Sequence, residues 1–392
     1  MNISELSEIL KSNQHETDTY DFKERWENTN SELLKDILSF ANTAHHKDCY
    51  LIYGIDDSKH VVGITDEDKN QKNQQMITDF LTHVHFANDS IPDVIFNKLP
   101  VDGKIVNILT IKDSDQVPFY LADDFKGKGR PISKGTIFFR DKDSDFGFQS
   151  VPPYKTMEKL WQKHFHLDLK PKDRFPYLLD DICNWSWHDG DPEKFVYDID
   201  PNFYIEIEER ENQETYKQVE SFSVNLPNPK ISWFSVSLKY NQQDVMSPLT
   251  GMSLDGGRGF VVYPETSKIK DLYYYYYFAN SLREKISKVV NSQRKESTDK
   301  NTVDEYFDHI VIYENSDQKQ SIESEIESEK IDFSSKDKEV KELNKHLTTT
   351  FGKKYVERHT FSSMISQIKL TQYINKTINE GYALTCGGIN VH

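Results

Sequence analysis

Residues 49–64, CYLIYGIDDSKHVVGI, decide the fold of the first part of the chain. The apolar run CYLIYGID predicts a buried strand, DDSKH is typical of a turn, and VVGI predicts the hairpin partner of the strand. The acidic pair Asp56 and Asp57 stands where the strand ends. Strand ends hold side chains rigidly, which suits a functional site, but Asp-Asp-Ser-Lys is also ordinary turn chemistry. Both interpretations stay open at this point.

The elements around this hairpin predict an α+β domain. Residues 3–12 predict a helix capped by Ser4 or Asn2, and NSELLKDILSFANTAHH predicts a stronger one capped by Asn30 or Ser31. Beyond the hairpin, DEDKNQKNQQMITDFLTHV has helical spacing, and IPDVIFNKLPVDGKIVNILTIK predicts two strands joined by a tight Asp-Gly turn. VPFYLA and GTIFFR predict two more strands, separated by the loop DDFKGKGRPISK.

A Pro pair near residue 152 predicts the end of this domain, so we expect a first domain over residues 1–152, a connector helix over 153–170 and a second α+β domain over 171–392. In the second domain, NFYIEIEER, ISWFSVSLKY and RGFVVYP predict strands. Residues 270–296 predict a helix whose tyrosines 273–277 are either buried aromatic packing or a base-stacking platform. The charged residues 314–346 predict a solvated helix or a mobile linker.

Composition limits the partners and the compartment. The formal charge of -16, from 64 acidic and 48 basic residues, disfavours binding of bulk DNA except at a local basic groove or a metal-bridged site. Cys49, Cys183 and Cys386 form no CxxC pair, which favours a reducing compartment. The first residues have no apolar signal region, and no stretch reaches the roughly 20 apolar residues of a membrane span. We expect a cytoplasmic protein without a membrane partner.

Acidic residues in the first 60 positions are candidates for a metal site. Glu16 and Asp21 stand five positions apart, and Asp56 or Asp57 follows the apolar strand. Metal nucleases bring two or three carboxylates to Mg²⁺ or Mn²⁺, because hard cations prefer oxygen ligands. Lys23 could neutralise phosphate charge beside them. From composition alone, a structural role for the acids and a solvated Lys23 are the favoured interpretations, and the metal site is the alternative.

Four blocks, in order, carry a family resemblance: ETDTYDFK, LLKDILSFANT, YLIYGIDDSKHVVGI and PFYLADDFKGKGRPISKGTIFFRDKDS. Together they resemble the Schlafen AlbA-like domain, over residues from about 8 to 150. The resemblance implies a mixed sheet with flanking helices and a metal-dependent endoribonuclease that cleaves tRNA or other structured RNA. It also implies that Glu16, Asp21 and either Asp56 or Asp57 hold Mg²⁺ or Mn²⁺, assisted by Lys23.

Two features depart from the family pattern. His45 and His46 occupy the place of a Gly-Gly turn, and residues other than glycine need a different backbone path there. The histidines are expected either at a helix C-terminus or near phosphate. Asp21 stands where the family has Glu, which shortens this ligand by one methylene. Activity is compatible with both changes.

Basic side chains are expected to follow the RNA phosphates by shape and charge. Arg140, at the end of GTIFFR, is predicted either to contact phosphate or to pair with the acidic residues that follow it. The loop DDFKGKGR lacks the residue order of an ATP-binding phosphate loop. The predicted RNA-binding residues are Lys23, Arg25, Lys126, Lys128, Arg130, Lys134 and Arg140.

The leading hypothesis is a Schlafen-like endoribonuclease domain fused to a second domain that senses, regulates or dimerises. A homodimer would supply the second half of an RNA groove, and the architecture is similar to that of effectors of anti-phage defence. The alternative is a non-catalytic nucleic-acid-binding regulator, which has no need of the acidic triad. A third hypothesis, a protein-binding scaffold, predicts no affinity for nucleic acid.

Overall fold

The computed structural model describes residues 1–11, 17–65, 67–141, 144–145, 151–210, 219–294, 309–357 and 361–386. These residues form a mixed α+β structure and pack into two compact units, Met1–Lys170 and Pro171–His392. The α+β fold class predicted from the sequence is confirmed. The functions expected for the individual domains stay predictions.

A four-stranded mixed sheet forms the centre of the first unit. Its strand order is β1-β2-β4-β3, with β1 parallel to β2 and the other neighbours antiparallel. Two short strands, β5 and β6, pair separately. The elements of this unit are α1 (Ile3–Lys11), β1 (Tyr20–Lys23), α2 (Asn30–Ala41), β2 (Cys49–Tyr53), α3 (Gln74–Thr82), β3 (Val94–Val101), β4 (Lys104–Ile111), β5 (Arg140–Asp141), β6 (Ser144–Asp145) and α4 (Tyr154–His164).

The central strand β2 is apolar on both faces because both faces of the sheet are covered. Leu51 and Tyr53 point into the core that α2 and α3 complete, whereas Ile52 packs with Leu6 of α1. Alternating side chains of one strand therefore enter two cores. This arrangement fixes the direction in which each side chain of the neighbouring strand β1 points.

The predicted tight turn between β3 and β4 is confirmed. Asp102 and Gly103 have φ values of 49° and 75°, the positive values that a two-residue hairpin turn requires at both central positions. At α1, Asn2 accepts a hydrogen bond of 3.0 Å from the backbone N–H of Glu5, which confirms Asn2 as one of the two predicted caps.

Four predictions for the first unit were wrong in detail. VVGI forms no hairpin strand, and it pairs with the preceding segment only through an isolated bridge between Val61 and Ile55. The cap of α2 is Thr29, whose hydroxyl accepts from the N–H of Glu32, and neither Asn30 nor Ser31. VPFYLA contributes only an isolated bridge between Leu121 and Phe86, and residues 136–139 of GTIFFR form no strand. Both runs are apolar because they are buried in the core, and burial alone does not require pairing in a sheet.

The second unit contains a seven-stranded sheet and a three-stranded sheet within its described residues. In the large sheet the order is β13-β12-β10-β9-β8-β7, with β11 beside β10. In the small sheet, β15 lies between β14 and β16. No helix among the described residues of the chain is long and apolar enough to cross a membrane. The elements are α5 (Pro171–Leu178), β7 (Trp185–His188), β8 (Glu193–Tyr197), β9 (Phe203–Glu209), β10 (Ser232–Tyr240), β11 (Gln243–Asp244), β12 (Leu249–Leu254), β13 (Gly259–Val262), β14 (Glu265–Ile269), β15 (Leu272–Phe278), α6 (Leu282–Gln293), β16 (Val311–Tyr313), α7 (Ser316–Ser328), α8 (Asp337–Phe351), α9 (Lys353–Val356) and α10 (Ser362–Cys386).

The tyrosine run belongs to strand β15, so the helix predicted from residue 270 was wrong in its first half; α6 begins at Leu282. Tyr274 and Tyr276 pack into one core, and Tyr275 and Tyr277 pack into another. A strand buried on both faces shows no alternation of polarity, and tyrosine favours strands. The prediction of buried aromatic packing is confirmed for these four residues.

The charged residues 314–346 lie largely in two helices, α7 and α8. Ile322 and Ile326 of α7 and Leu343 and Leu347 of α8 are buried. A spacing of four residues places each pair on one face of its helix. The predicted helical structure is therefore confirmed. The helices were expected to be fully exposed to solvent, but each of them buries an apolar edge.

Candidate functional site

Strand β1 places Asp21 and Lys23 on the same face of the sheet. They are two residues apart, and their parallel partners Leu51 and Tyr53 on β2 point to the same side. Lys23 Nζ lies 3.0 Å from Asp21 Oδ2. The first strand thus brings a carboxylate and an ammonium group together at the edge of the sheet.

Two further charged side chains complete this group. Arg140 of β5 donates a hydrogen bond of 2.8 Å to Asp21 Oδ1, and its guanidinium lies 4.7 Å from the centre of the Phe40 ring. Asp36 of α2 lies 3.4 Å from Lys23 Nζ. We name Asp21, Lys23, Asp36 and Arg140 the Asp21 cluster. The side chains of Asp21, Asp36 and Arg140 are all less than a tenth exposed.

Opposite charges keep the central pair of the cluster ionised. Burial alone would raise the pKa of Asp21, but the positive charges of Lys23 and Arg140 outweigh it and lower this pKa. Burial opposes the charge of Lys23 as well, and the carboxylates of Asp36 and Asp21 raise its pKa above the usual range. Asp21 is therefore a weak base at neutral pH, and Lys23 keeps its proton.

Glu27 adds a carboxyl group of different character beside the cluster. The Tyr53 hydroxyl donates to both of its oxygens at 3.0 Å, and Trp26 stacks on the Tyr53 ring with ring centres 4.1 Å apart. Burial, reinforced by the negative charge of Asp36, raises the pKa of Glu27 to about 8. This environment favours the protonated form of the Glu27 carboxyl group at neutral pH.

The predicted metal ligands are not brought together by the part of the chain that the structure describes. Glu16 lies outside that part. Asp56 Oδ1 accepts from the backbone N–H of His60 at 2.8 Å, and Asp56 Oδ2 lies 3.2 Å from His60 Nδ1, so this carboxylate closes its own turn. Asp57 is exposed in the same turn. Within the described ranges, no group of three or more His, Cys, Asp and Glu side chains is arranged to hold a metal ion.

A polar cleft of about 450 Å³ lies in the first unit. Arg140 lines it, so one residue belongs both to the cleft and to the Asp21 cluster. Helix α4 supplies three of the lining residues. The residues that line the cleft are Asp18, Asn42, Thr43, Ala44, His45, Arg140, Thr156, Lys159, Gln162 and Asp168.

A buried lysine of α4 holds the segment that replaces the Gly-Gly turn of the family pattern. Lys163 Nζ donates to the carbonyl oxygens of Thr43 and His45 at 3.1 and 2.7 Å, and to Asp113 at 2.6 Å. His45 Nε2 lies 3.4 Å from the carbonyl oxygen of Asp18. These contacts fix a glycine-free path from α2 to β2 along one wall of the cleft.

His46 contacts carboxylates at the same wall. Its Nε2 lies 2.8 Å from Asp168, and its Nδ1 lies 3.7 Å from Asp113. The helix α2 ends at Ala41, five positions earlier. His46 thus contacts side chains that follow β4 and α4, and its expected role near phosphate stays a prediction.

Asn42, at the C-terminal end of α2, connects three segments around the cleft. Its side-chain amide donates to the carbonyl oxygens of Phe119 and Phe138 at 2.9 and 2.8 Å, and its carbonyl oxygen accepts from the N–H of Phe119 at 2.6 Å. Asn42 is buried. The asparagine of the Ala-Asn-Thr block therefore holds the chain just before Arg140 in place.

The predicted RNA-binding residues separate into two environments. Lys23 and Arg140 belong to the Asp21 cluster, whereas four residues of the Gly-rich loop are exposed. Arg25 is about half exposed and pairs with Asp68 at 3.1 Å. Arg140 was predicted either to contact phosphate or to pair with the acidic residues that follow it. It does form an ion pair, and the partner that the structure describes is Asp21. The exposed loop residues are Lys126, Lys128, Arg130 and Lys134.

Sequence reasoning missed Asp36 and Glu27. Asp36 interrupts the apolar run LLKDILSFA, where a charged residue on a buried helix requires a partner. This signal could have identified Asp36 as a member of the site. Glu27 gives no comparable signal, because the hydrogen bonds from Tyr53 and the charge of Asp36 come from other elements.

The comparisons with known proteins give a match within the first unit. No curated protein and no solved structure shows significant similarity to the chain. One family model matches, over residues 16–148, and its description is Schlafen, AlbA_2. The match includes the Asp21 cluster, Glu27 and the Gly-rich loop, and it indicates a function related to nucleic acids. Residues 16–148 of this chain are therefore a Schlafen AlbA_2 domain.

Proposed function

We propose that the Schlafen AlbA_2 domain is an endoribonuclease that cuts tRNA or another structured RNA, with the Asp21 cluster at its reacting centre. The observation that carries the proposal is the position of Arg140, which is paired with Asp21 at 2.8 Å and also lines the polar cleft. A phosphodiester in the cleft would meet a positive charge that the fold already holds in place. Fixed cations of this kind stabilise the charge that develops on a phosphate during cleavage.

The side chains of the cluster suit different steps. Lys23 and Arg140 offset phosphate charge, and Asp21 orients both, since its low pKa makes it a poor general base. Glu27 is protonated at neutral pH and is suited to give a proton to the oxygen that leaves. This division follows from environment, because burial raises one carboxyl pKa while two cations lower the other.

The proposal includes a Mg²⁺ or Mn²⁺ ion because the family resemblance implies one. The residues that would hold it are Glu16, Asp21 and either Asp56 or Asp57. The described side chains do not fit a metal ion as they stand. Each Asp21 oxygen lies within 3.0 Å of a cationic group, and both Asp56 oxygens contact His60. Metal dependence is therefore one of the quantities that the cleavage experiment has to determine.

The test is cleavage of a purified tRNA pool by the wild type and by Asp21→Asn, with Mg²⁺, Mn²⁺ or EDTA. We expect the wild type to cut, and Asp21→Asn to lose on the order of 100-fold in rate, since removal of one group that organises transition-state charge has effects of this size. Asp68→Asn is the matched control, because Asp68 also pairs with an arginine but lies outside the cluster. Thermal melting of both variants checks that they remain folded.

A second candidate, a non-catalytic regulator that binds nucleic acid, has one observation in its favour. The carboxylates of Asp21 and Asp56 are already engaged by side chains of the fold, as structural residues are. Such a protein would bind RNA or DNA equally well as wild type and as Asp21→Asn, and neither form would cut. This outcome in the tRNA assay would replace the nuclease by the regulator.

A homodimer and a role in defence against phage are further parts of the proposal. Two copies of the domain would present two clefts, and one long RNA could contact both. Light scattering of the purified chain tests the dimer, which predicts a mass near twice the 45.9 kDa of one chain. Survival of cells that express wild type or Asp21→Asn under phage infection tests the defence role.

A further inference from the structure

The Gly-rich loop combines a fixed backbone with basic side chains that the fold does not use. Residues 126–134 carry four basic side chains and no carboxylate. The backbone groups of Phe125 and Ile132 pair in both directions, at 2.9 and 3.0 Å, and close the loop. Within the described ranges, the ammonium groups of Lys126, Lys128 and Lys134 form no hydrogen bond or ion pair. These three lysines are exposed and available to an external anion.

The loop is anchored to the first turn of α2. The Ser31 hydroxyl donates a hydrogen bond of 3.2 Å to the carbonyl oxygen of Lys128. Gly129 packs so closely against Thr29 that a Cβ atom at residue 129 would lie 2.6 Å from the Thr29 hydroxyl oxygen. The φ value of Gly129 is 109°, in the region that favours glycine. The loop therefore keeps a defined position relative to α2.

One face of α2 leads from this anchor to the Asp21 cluster. Thr29, Asp36 and Phe40 are separated by seven and four positions, which places them on the same face of the helix. Asp36 lies 3.4 Å from Lys23 Nζ, and the guanidinium of Arg140 lies 4.7 Å from the centre of the Phe40 ring. At about 1.5 Å per residue, Asp36 is about 10 Å and Phe40 about 16 Å from Thr29 along the axis. The loop, Lys23 and Arg140 thus follow one another along α2, and Arg140 also lines the polar cleft.

We propose that a helical stem of the RNA substrate lies along this face of α2, with its backbone contacting the lysines of the Gly-rich loop at one end and Arg140 at the other. The proposal rests on the proposed function for its choice of RNA. The distance of about 16 Å corresponds to roughly five nucleotides of one strand in a duplex, at about 3.4 Å each. A substrate therefore needs a stem of at least about five base pairs beside the bond that is cut.

The arrangement of the charges favours RNA over a second copy of this chain. A duplex carries phosphates at regular intervals along its axis and is bound through its shape and charge. Cations at three points along one helix face match such a ligand, and the row ends at the cleft in which the phosphodiester is expected. Two nearby carboxylates are engaged by the fold. Asp124 accepts from the backbone N–H of Lys134 at 3.0 Å, and Glu32 accepts from the Thr29 hydroxyl at 3.1 Å.

The test is fluorescence anisotropy with labelled RNA hairpins whose stems have about 3, 6 and 12 base pairs, in EDTA, with a gel to detect cuts. We expect the affinity of the wild type to rise on the order of 10-fold between the two shorter stems, because only the longer of them reaches the loop. The triple variant Lys126→Ala with Lys128→Ala and Lys134→Ala should bind the shortest stem normally and lose this rise. For the longer stems, its slope of log affinity against log salt concentration should fall by about 2 to 3, at about 0.9 per lost phosphate contact.

The matched control is the triple variant Lys341→Ala with Lys345→Ala and Lys354→Ala. These lysines are exposed in the second unit, so the control changes the net charge of the chain by the same amount outside the row. Its affinity for every stem should equal that of the wild type. Equal affinities of the two triple variants for the longer stems would overturn the proposal.

Gly129→Ala tests the position of the loop separately from its charge. The variant keeps every lysine but adds a Cβ atom where the Thr29 side chain lies. We expect weaker binding of the longer stems and unchanged binding of the shortest one, and thermal melting checks that the variant remains folded. Normal binding of all stems by the folded variant would contradict the requirement for a fixed loop.

The outcome is distinguishable from that of the nuclease proposal. If stem length and the loop lysines do not change the affinity and the wild type still cuts tRNA, the contact along α2 fails and the nuclease stands. If both change the affinity and no form of the protein cuts, the nuclease fails and the contact stands. A wild-type dimer that the loop variant dissociates, with RNA affinity unchanged, would assign the loop to a second copy and overturn the proposal.

Discussion

Arg140 donates a hydrogen bond of 2.8 Å to Asp21, across 119 positions of the sequence. The bond joins the first strand of the AlbA_2 domain to the short strand near its end. Both side chains are almost fully buried, at 3% and 8% exposure, so neither charge has water to replace its partner. This pair links the stability of the domain to the candidate site.

Arg140→Met should therefore destabilise the first unit. Breaking a buried ion pair typically costs about 3–5 kcal/mol, and we expect a loss at or below the lower end of this range, because Asp21 keeps Lys23 as a second cationic partner at 3.0 Å. Urea denaturation monitored by tryptophan fluorescence would measure the change. Arg25→Met is the control, since the half-exposed Arg25–Asp68 pair should contribute less than about 1 kcal/mol. Equal losses in the two variants would contradict the importance of burial.

Glu27 predicts a dependence of stability on pH. Its pKa rises from 4.5 to about 8 in the folded chain, mainly because of burial and then because of Asp36. Between these values the folded state binds more protons than the unfolded state, so the stability that the protonated form provides is complete below pH 4.5 and is lost as the pH rises through 8. Glu27→Gln removes this titration.

The measurement is the free energy of unfolding of wild type and Glu27→Gln at several pH values from 5 to 9. We expect the wild type to lose stability relative to the variant steadily as the pH rises from 5, with the loss levelling off once the pH exceeds about 8. Comparison with the variant cancels groups that titrate elsewhere in the chain. Parallel curves over the whole range would show that Glu27 ionises normally.

Asn42→Ala should loosen the wall of the cleft. The substitution removes three buried hydrogen bonds and leaves the carbonyl oxygens of Phe119 and Phe138 without this donor. Buried hydrogen bonds contribute about 1 kcal/mol each, so we expect a loss of about 3 kcal/mol or more. Amide hydrogen exchange would show faster exchange around residues 117–121. The exposed Asn70, which bonds to Asn28, gives the control Asn70→Ala, expected to change stability by less than about 0.5 kcal/mol.

The sequence was sufficient for elements whose signals are local. The turn at Asp102 and Gly103 needs only its own two residues, and the alternation in NFYIEIEER needs only one strand with one buried face. Tyr274 to Tyr277 gave no such signal, because both faces of β15 are buried and every position carries the same residue. The periodicity that separates strand from helix is absent from a uniform run.

The candidate site was predictable only in part, for a related reason. Asp21 and Lys23 lie two positions apart on one strand, so their proximity follows from the local spacing. Arg140 reaches Asp21 only through the path of the chain past Asn42, and Glu27 acquires its raised pKa only from the packing of other elements. The spacing of residues in a single sequence does not indicate which distant segments come into contact. The metal assignment, which includes Glu16, stays a prediction.

Asp56 and Asp57 give the last prediction, because the structure separates two residues that the sequence left equivalent. Asp56 closes its turn by accepting from the N–H of His60, whereas Asp57 is exposed one position later. If a strand-end acid serves cleavage, Asp57 is the one that can act without breaking the turn. We expect Asp57→Ala to abolish tRNA cleavage with an unchanged melting temperature. Asp56→Ala should lower the melting temperature, and the folded fraction should still cut.

Ser58→Ala, in the same turn, is the control for a general effect of substitution at this end of the sheet. The assay uses equal concentrations of folded protein, so a loss of stability in Asp56→Ala does not register as a loss of activity. Normal cutting by Asp57→Ala combined with inactive, folded Asp56→Ala would assign the role to Asp56, and its contact with His60 would then have to open during catalysis. Normal cutting by both variants would remove the third acid from the site and leave the Asp21 cluster with Glu27 as the chemistry that this domain has available.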